Sequence, residues 1–177
     1  MENKFDGVVS EGARVALGML KNAGYKAYIV GGCVRDMLLG DVPSDWDITT
    51  DATPEEISCV FEGYRQIEIG RQHGTISVFI GDEQYEITTF RADGDYSDGR
   101  RPDEVFYTKS LEEDLKRRDF TINALAFNFE EGLVDHFGGV RDLGLGVIRC
   151  VGDPKERFGE DYLRILRAYR LRHGWAL

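Results

Sequence analysis

Residues 31–50, GGCVRDMLLGDVPSDWDITT, decide how this chain is read. The glycine pair Gly31-Gly32 follows the short apolar run Ala27–Val30 and precedes Val34–Leu39, which has helical character and is closed by Gly40. The pair therefore stands where a strand turns into a helix. Backbone N–H groups gather at such a junction, and glycine lets an anion approach them closely. Arg35, one helical turn further on, can hold a phosphate. After a turn at Asp41–Ser44, residues Trp46, Ile48 and Thr49 predict a second strand that carries Asp45 and Asp47. Positions i and i+2 of a strand share a face, so the two carboxylates stand one pleat apart, suited to a shared divalent cation. Each feature alone is weak: DxD is commonly a solvated turn, and Arg35 could simply pair with Asp36. Together they predict a site for a metal-bound nucleoside triphosphate.

Upstream, residues 8–23 repeat apolar side chains at helical spacing and stop at Gly24. Downstream, Thr53-Pro54-Glu55-Glu56 is a helix start, with a Thr cap, Pro in the first turn and acids near the N-terminus, running to about Phe61. Three strands are expected at 65–70, 75–80 and 84–91, with turns at 72–74 and 81–82. In the last, Tyr85, Ile87 and Thr89 alternate with Glu86, Thr88 and Phe90. A Glu86 on the side of the aspartates would complete a three-carboxylate site, although a solvated strand face is as good a reading. Residues 92–104, ADGDYSDGRRPDE, form a polar loop of the kind that often carries function. A helix is expected over 111–126, where Asp119 and Asn123 at i, i+4 are too polar for a plain core helix. Residues 134–146 are turn-rich. Asp153 or Pro154 opens a last helix to about Arg172, on which Asp161 and Arg164 would be neighbours. Their bland reading is an ion pair worth a few tenths of a kcal/mol. Their functional reading is an acceptor beside a donor fork, able to read a base edge, with Arg167 and Arg170 along a phosphate chain.

Composition limits the classes. With 42% hydrophobic and 31% charged residues, the chain is globular, long enough for one well-buried domain or one domain and the start of another. A net charge of -10 argues against a protein that coats nucleic acid. The charge is uneven, however: residues 41–62 hold seven acids and no Lys or Arg, while 155–177 hold six Lys or Arg against three acids. Cys33, Cys59 and Cys150 form no zinc or disulfide pattern, no apolar run could span a membrane, and the N-terminus has no signal-peptide pattern. The expectation is a cytoplasmic protein that binds no membrane. Asp45-Trp46-Asp47-Ile48-Thr49 also fits the DxDxT pattern of haloacid-dehalogenase-type phosphatases. Those place a buried strand before the motif, whereas Val42-Pro43-Ser44 precedes it here, and that reading leaves the glycine pair without a role.

In order along the chain, GGCVRD, DWD, YEITTFR, DGRRPDE, RRDFTINA and EDYLRILRAYR resemble the class II CCA-adding tRNA nucleotidyltransferases and bacterial poly(A) polymerases. The likeness runs from about Ala27 to Arg170. It implies an α/β (α+β) fold: a polymerase-β-like nucleotidyltransferase head with mixed sheet and flanking helices over residues 1–145. Residues 146–177 would begin an all-α neck that ends early by comparison with the family. It implies Mg²⁺ held by Asp45 and Asp47, with Glu86 as third carboxylate, and triphosphate contacts from Gly31, Gly32 and Arg35. Arg118, Asp119 and Asn123 would lie on the nucleotide and ribose side. Asp161 and Arg164 would pair with the edge of C or A, and Arg167 and Arg170 would add phosphate or structural contacts. The loop 92–104 would help the site switch from C to A. The implied activity is CCA addition to the tRNA 3′ end from CTP and ATP. Poly(A) synthesis, CC-only or A-only addition, and a non-catalytic nucleotide-binding fragment are the alternatives.

Overall fold

A computed structural model describes residue 5 and residues 7–94 and 104–174. Ser10 opens α1 (Glu11–Asn22), its hydroxyl accepting from the backbone N–H of Ala13 at 3.2 Å. This cap leaves Val8 and Val9 ahead of the helix, not in its first turn as the apolar spacing alone suggested. The chain continues through β1 (Ala27–Val30), α2 (Gly32–Leu39) and β2 (Trp46–Thr50). Gly40 ends α2 in the left-handed region at φ 90°, which glycine adopts without strain. Next comes α3 (Pro54–Val60), where Thr53 and Glu56 satisfy each other's backbone N–H in a capping box. β3 (Arg65–Ile67), β4 (Thr75–Ile80) and β5 (Glu83–Thr89) follow, with a 3₁₀ turn at Arg71–His73.

A two-stranded arm, β6 (Arg91–Asp93) and β7 (Val105–Tyr107), then projects from the sheet. Most of the polar stretch 92–104 lies between these strands and outside the described residues. The chain closes with α4 (Leu111–Lys116), a 3₁₀ turn at Thr121–Asn123, β8 (Leu125–Asn128), β9 (Gly132–Asp135), α5 (Gly139–Gly144), α6 (Pro154–Glu160) and α7 (Leu163–Gly174).

Seven strands make one mixed sheet in the order β3-β4-β5-β2-β1-β8-β9. Only β2 and β5 run parallel, with Asp47 opposite Glu86; the remaining neighbours are antiparallel. One face of the sheet buries Ile29, Ile48, Ile76, Ile87 and Phe127 with Ala13, Leu17 and Leu20 of α1 and Ile57 of α3. The other face buries Tyr28, Val30 and Ala126 with Phe90, Leu115 and Val151. A third cluster, Phe120, Ile122 and Cys150 with Phe158, Ala168 and Leu171 against it, fastens α6 and α7 to the body.

Two expected helices are interrupted. Over 111–126 the helix stops at Lys116. Phe120 is extended, at φ -125° and ψ 150°, and bridges Cys150. Asp119 turns its carboxylate onto the backbone N–H of Phe120 at 2.8 Å and onto the Asn123 amide at 3.1 Å. Such local side-chain bonds compete with helix formation. The i, i+4 pair is thus real, but it closes a turn. Leu125–Asn128 then enters the middle of the sheet and is buried on both faces, so it shows no alternation from which a strand could be read.

The last expected helix breaks at Asp161, which is extended at φ -142° and ψ 103°. Its carboxylate accepts from the backbone N–H of Leu163 at 2.9 Å, in the first turn of α7. The turn-rich stretch 134–146 contains the end of β9 and all of α5.

Candidate active site

Three pieces of backbone meet above the carboxyl end of β1. Gly31 leaves that strand at φ 85° and starts α2, with its N–H donating to the Leu125 carbonyl at 3.0 Å. The turn 119–123 packs beside it, and the break at Asp161 closes the far side. Between them lies a cleft of about 380 Å³ lined by Gly31, Gly32, Arg35, Asp47, Arg118, Asp119, Asn123, Asp161, Arg164 and Arg167. Ten of the thirteen expected site residues therefore share one cavity. Arg91, Asp93 and Arg117 complete the lining. Six arginines against four aspartates give this cleft a cationic surplus in a chain of net charge -10, which suits a polyphosphate.

Asp45 and Glu86 lie in the adjoining groove of about 620 Å³, with Glu83, and Asp47 borders both spaces. Among the described residues no Lys or Arg lines this groove. The β2–β5 pairing sets Asp47 and Glu86 directly opposite each other on one face, as expected for a third carboxylate. Asp47 has an exposed outer edge, yet the walls withdraw enough water to push its carboxyl up to about 6. Arg118 opposes that rise, while Glu86 and Asp45 add to it. Carboxylates gathered at one edge of a site are the kind of oxygen donors that a hard cation takes. Among the described residues no three such side chains are already closed around a metal position.

Several side chains are held by partners not foreseen. Arg35 donates to Asp36 at 2.7 Å, the bland pairing, and also to the Asn123 side-chain oxygen at 2.7 Å, which fixes both on the cleft wall. Asp161 pairs with Arg167, not Arg164. Arg164 is buried and donates to Glu160 at 2.8 Å and to the Arg117 carbonyl at 3.3 Å. The break at Asp161 removes the helical face on which Asp161 and Arg164 were to be neighbours, but both still border the cleft. Arg170 is exposed on α7 and outside the cleft lining.

Arg117 and Asp114 were not among the expected site residues. Asp114 is fully buried and binds both Arg117 and Arg118. Its signal was present as an acid three and four residues before two arginines. Arg91 and Asp93 follow directly from the strand of Glu86, with no pattern of their own.

Gly31 fixes the floor. A Cβ there would lie 3.1 Å from Arg118 Nη1 and 4.0 Å from Asp47 Oδ2, at a φ that side chains avoid. Gly31→Ala is expected to cost about 1–2 kcal/mol of stability. It should also slow the reaction roughly 100-fold by moving Arg118 or Asp47. Initial rates beside a melting curve test this, and an unchanged rate in a folded variant contradicts it.

The profile of the Poly A polymerase head domain matches residues 27–149. The chain belongs to that family. The match begins with β1 and ends after α5, so it includes Asp47, Glu86 and the turn 119–123 but not the break at Asp161 or α7. Nucleotidyltransferases of this family generally use divalent metal ions. The chain is 53% identical over 158 residues to a CCA-adding enzyme of Lactobacillus helveticus, covering 89% of this chain and 39% of that protein. It is 51% identical over 154 residues to the CCA-adding enzyme of Bacillus subtilis, covering 87% and 38%.

Among solved structures, it superposes on the Bacillus stearothermophilus CCA-adding enzyme in complex with CTP with a TM-score of 0.82 and 42% identity. That alignment covers 96% of this chain and 39% of the other. The Thermotoga maritima CCA-adding enzyme complexed with tRNA-CCA gives 0.75 and 30%, covering 95% and 39%. The head-domain chain thus spans about two fifths of the length of these relatives. No helix among its described residues is long and apolar enough to cross a membrane.

Proposed function

We propose that this chain is the catalytic head of an RNA nucleotidyltransferase that adds C and A, from CTP and ATP, to the 3′ end of tRNA. The observation that carries the reading is Asp47, placed where an arginine-lined cleft meets a groove walled by carboxylates. One space suits a triphosphate and the other an approaching hydroxyl beside a cation. Asp45 and Asp47, with Glu86, would hold Mg²⁺. When bound, Mg²⁺ lowers the pKa of the RNA 3′-hydroxyl and offsets charge on the departing pyrophosphate.

The chain's own side chains supply placement and electrostatics, which dominate phosphoryl transfer. Gly31, Gly32 and Arg35 would hold the triphosphate. Arg118, Asp119 and Asn123 would orient the ribose. Asp161 and Arg164 would meet the base edge after leaving Arg167 and Glu160. Arg167 then becomes available to phosphate, and Arg170 to the RNA backbone. The polar stretch 92–104 would help switch from C to A. Buried Cys33 and Cys150, both free thiols, fit a reducing cytoplasm.

Residues 146–177 are proposed to begin a helical neck after the head of residues 1–145. Leu163, Ile165, Leu166 and Tyr169 are exposed along α7, with Tyr162 just before it, an apolar stripe that a helical region would cover. Poly(A) synthesis and CC-only or A-only addition use the same chemistry and differ in the products. A second class is a nucleotide-binding module without turnover, favoured by the chain's coverage of only 39% of its relatives.

The deciding assay offers tRNA lacking its 3′ end, with CTP, ATP and Mg²⁺, to the longest protein the gene encodes, and sequences the products. Unextended RNA removes the transferase reading; CCA ends support it; A-tails or single-nucleotide ends select an alternative. Extension by this chain alone removes the binding-module reading. Asp161→Ala should relax the choice between CTP and ATP by about tenfold or more while transfer persists. Complete loss of transfer with unchanged choice in the residual activity contradicts the base-edge role.

A further inference from the structure

Asp114 has no exposed surface, yet its two oxygens receive five hydrogen bonds from three separate elements. Oδ1 accepts from Arg117 Nε at 3.0 Å and Nη2 at 2.8 Å, and from the backbone N–H of Arg91 at 3.2 Å, where the arm begins. Oδ2 accepts from Arg118 Nη2 at 3.3 Å and from the Thr49 hydroxyl at 3.1 Å. Thr49 stands on β2 two residues after Asp47, on the same face of the sheet.

The guanidinium is a rigid planar fork. Holding Nη2 of Arg118 therefore aims the rest of it. Nη1 points over Gly31, 3.1 Å from where a Cβ would sit, and that position is 4.0 Å from Asp47 Oδ2. Arg118 Nε is buried without a hydrogen-bond partner among the described residues, a donor left for a ligand. One carboxylate oxygen thus gauges Arg118 against the strand that carries Asp47.

We propose that Asp114 is a positioning residue for the nucleotide, setting the reach of Arg118 into the cleft relative to Asp47 through its shared bond to Thr49. The proposal rests on the nucleotidyltransferase reading for the identity of the ligand. A buried ion triad that only holds the fold together would have the same hydrogen bonds. The two roles differ in what happens when Arg118 is absent. If Asp114 acts through Arg118, its removal does nothing more once Arg118 is gone; if it only supports the fold, the losses multiply.

The test is a double-mutant cycle of Asp114→Asn and Arg118→Ala. It is read as the dissociation constant for CTP with Mg²⁺ by titration calorimetry, with transfer to tRNA followed in parallel. Asp114→Asn is expected to weaken CTP binding about tenfold, Arg118→Ala more, and the double variant no more than Arg118→Ala alone. Multiplied losses overturn the proposal, as does CTP binding unchanged in Asp114→Asn. If Asp114→Asn does not fold, Thr49→Val keeps the shape and removes one of the bonds. It should weaken binding about threefold in the parent and not at all beside Arg118→Ala, and equal effects in both backgrounds overturn the proposal. A parent protein that binds no CTP overturns both this inference and the functional reading. A coupled binding cycle in a parent that transfers nothing removes the transfer reading and leaves Asp114 in its role.

Discussion

Asp47→Asn is expected to abolish nucleotide transfer and, in metal-free buffer, to raise the melting temperature. The first effect follows from the position of Asp47 between the two spaces of the site. Losing a charge at the reacting phosphate should lower the rate by about three orders of magnitude or more. The second follows from its raised pKa of about 6. A carboxyl with a raised folded-state pKa binds its proton more tightly when folded, so stability falls as pH rises from about 4 to 6 and stays lowered above. Asn carries no charge and escapes that cost.

Asp47 is partly open to solvent, so the gain is discounted for screening to about 1 kcal/mol, or a shift of roughly 2–4 °C at pH 7. At pH 3.5 the two proteins should melt together. Melting curves at both pH values without divalent cations check this, and a variant less stable than the parent at pH 7 contradicts the account. Added Mg²⁺ should stabilise the parent and leave Asp47→Asn nearly unaffected.

Asp114→Ala is expected to do the reverse to stability. Burial alone would push the Asp114 carboxyl up, but Arg117, Arg118 and its hydrogen bonds outweigh that and hold it below the usual carboxylate range. Removing it takes the shared acceptor away from two partly buried guanidinium groups, Arg117 and Arg118. Breaking such a buried pair costs about 3–5 kcal/mol, or roughly 10 °C in melting temperature at pH 7. The sign with pH is opposite to that of Asp47. A depressed folded-state pKa stabilises above the unfolded value of about 4, and that stabilisation is lost as pH falls below it. The gap between parent and variant should therefore narrow in acid. A gap that is constant from pH 7 to pH 3 would mean that Asp114 acts through packing, not charge.

The legible parts of the sequence were those with local causes. Gly40 and the Thr53-Pro54-Glu56 box set helix ends through contacts within a few residues, and Gly31-Gly32 with Asp45 and Asp47 marked the site. The parts that failed depend on distant partners. Leu125–Asn128 is a strand because β1 and β9 flank it, while its residues alone fit a helix equally well. Asp161 breaks a helix although neither Pro nor Gly occupies that position; its carboxylate binds Arg167 and the start of α7. Asp114 escaped notice because an acid near two arginines reads as a surface pair until burial is known. Motif order could gather ten residues into one cleft, but it could not assign their hydrogen-bond partners in the unliganded protein.

The parallel pairing of β2 with β5 has a consequence for how the site comes into being. Asp47 and Glu86 meet only after α3, β3 and β4 have been laid down and the crossover has closed. Contacts between residues far apart in sequence form slowly because loop-closure entropy must be met first. A slip of one residue along β5 would turn Glu86 to the opposite face and bring Tyr85 or Ile87 to the carboxylates. The meeting of Asp47 with Glu86 is therefore expected to be a late event in folding, later than the local turns of α1 and α2.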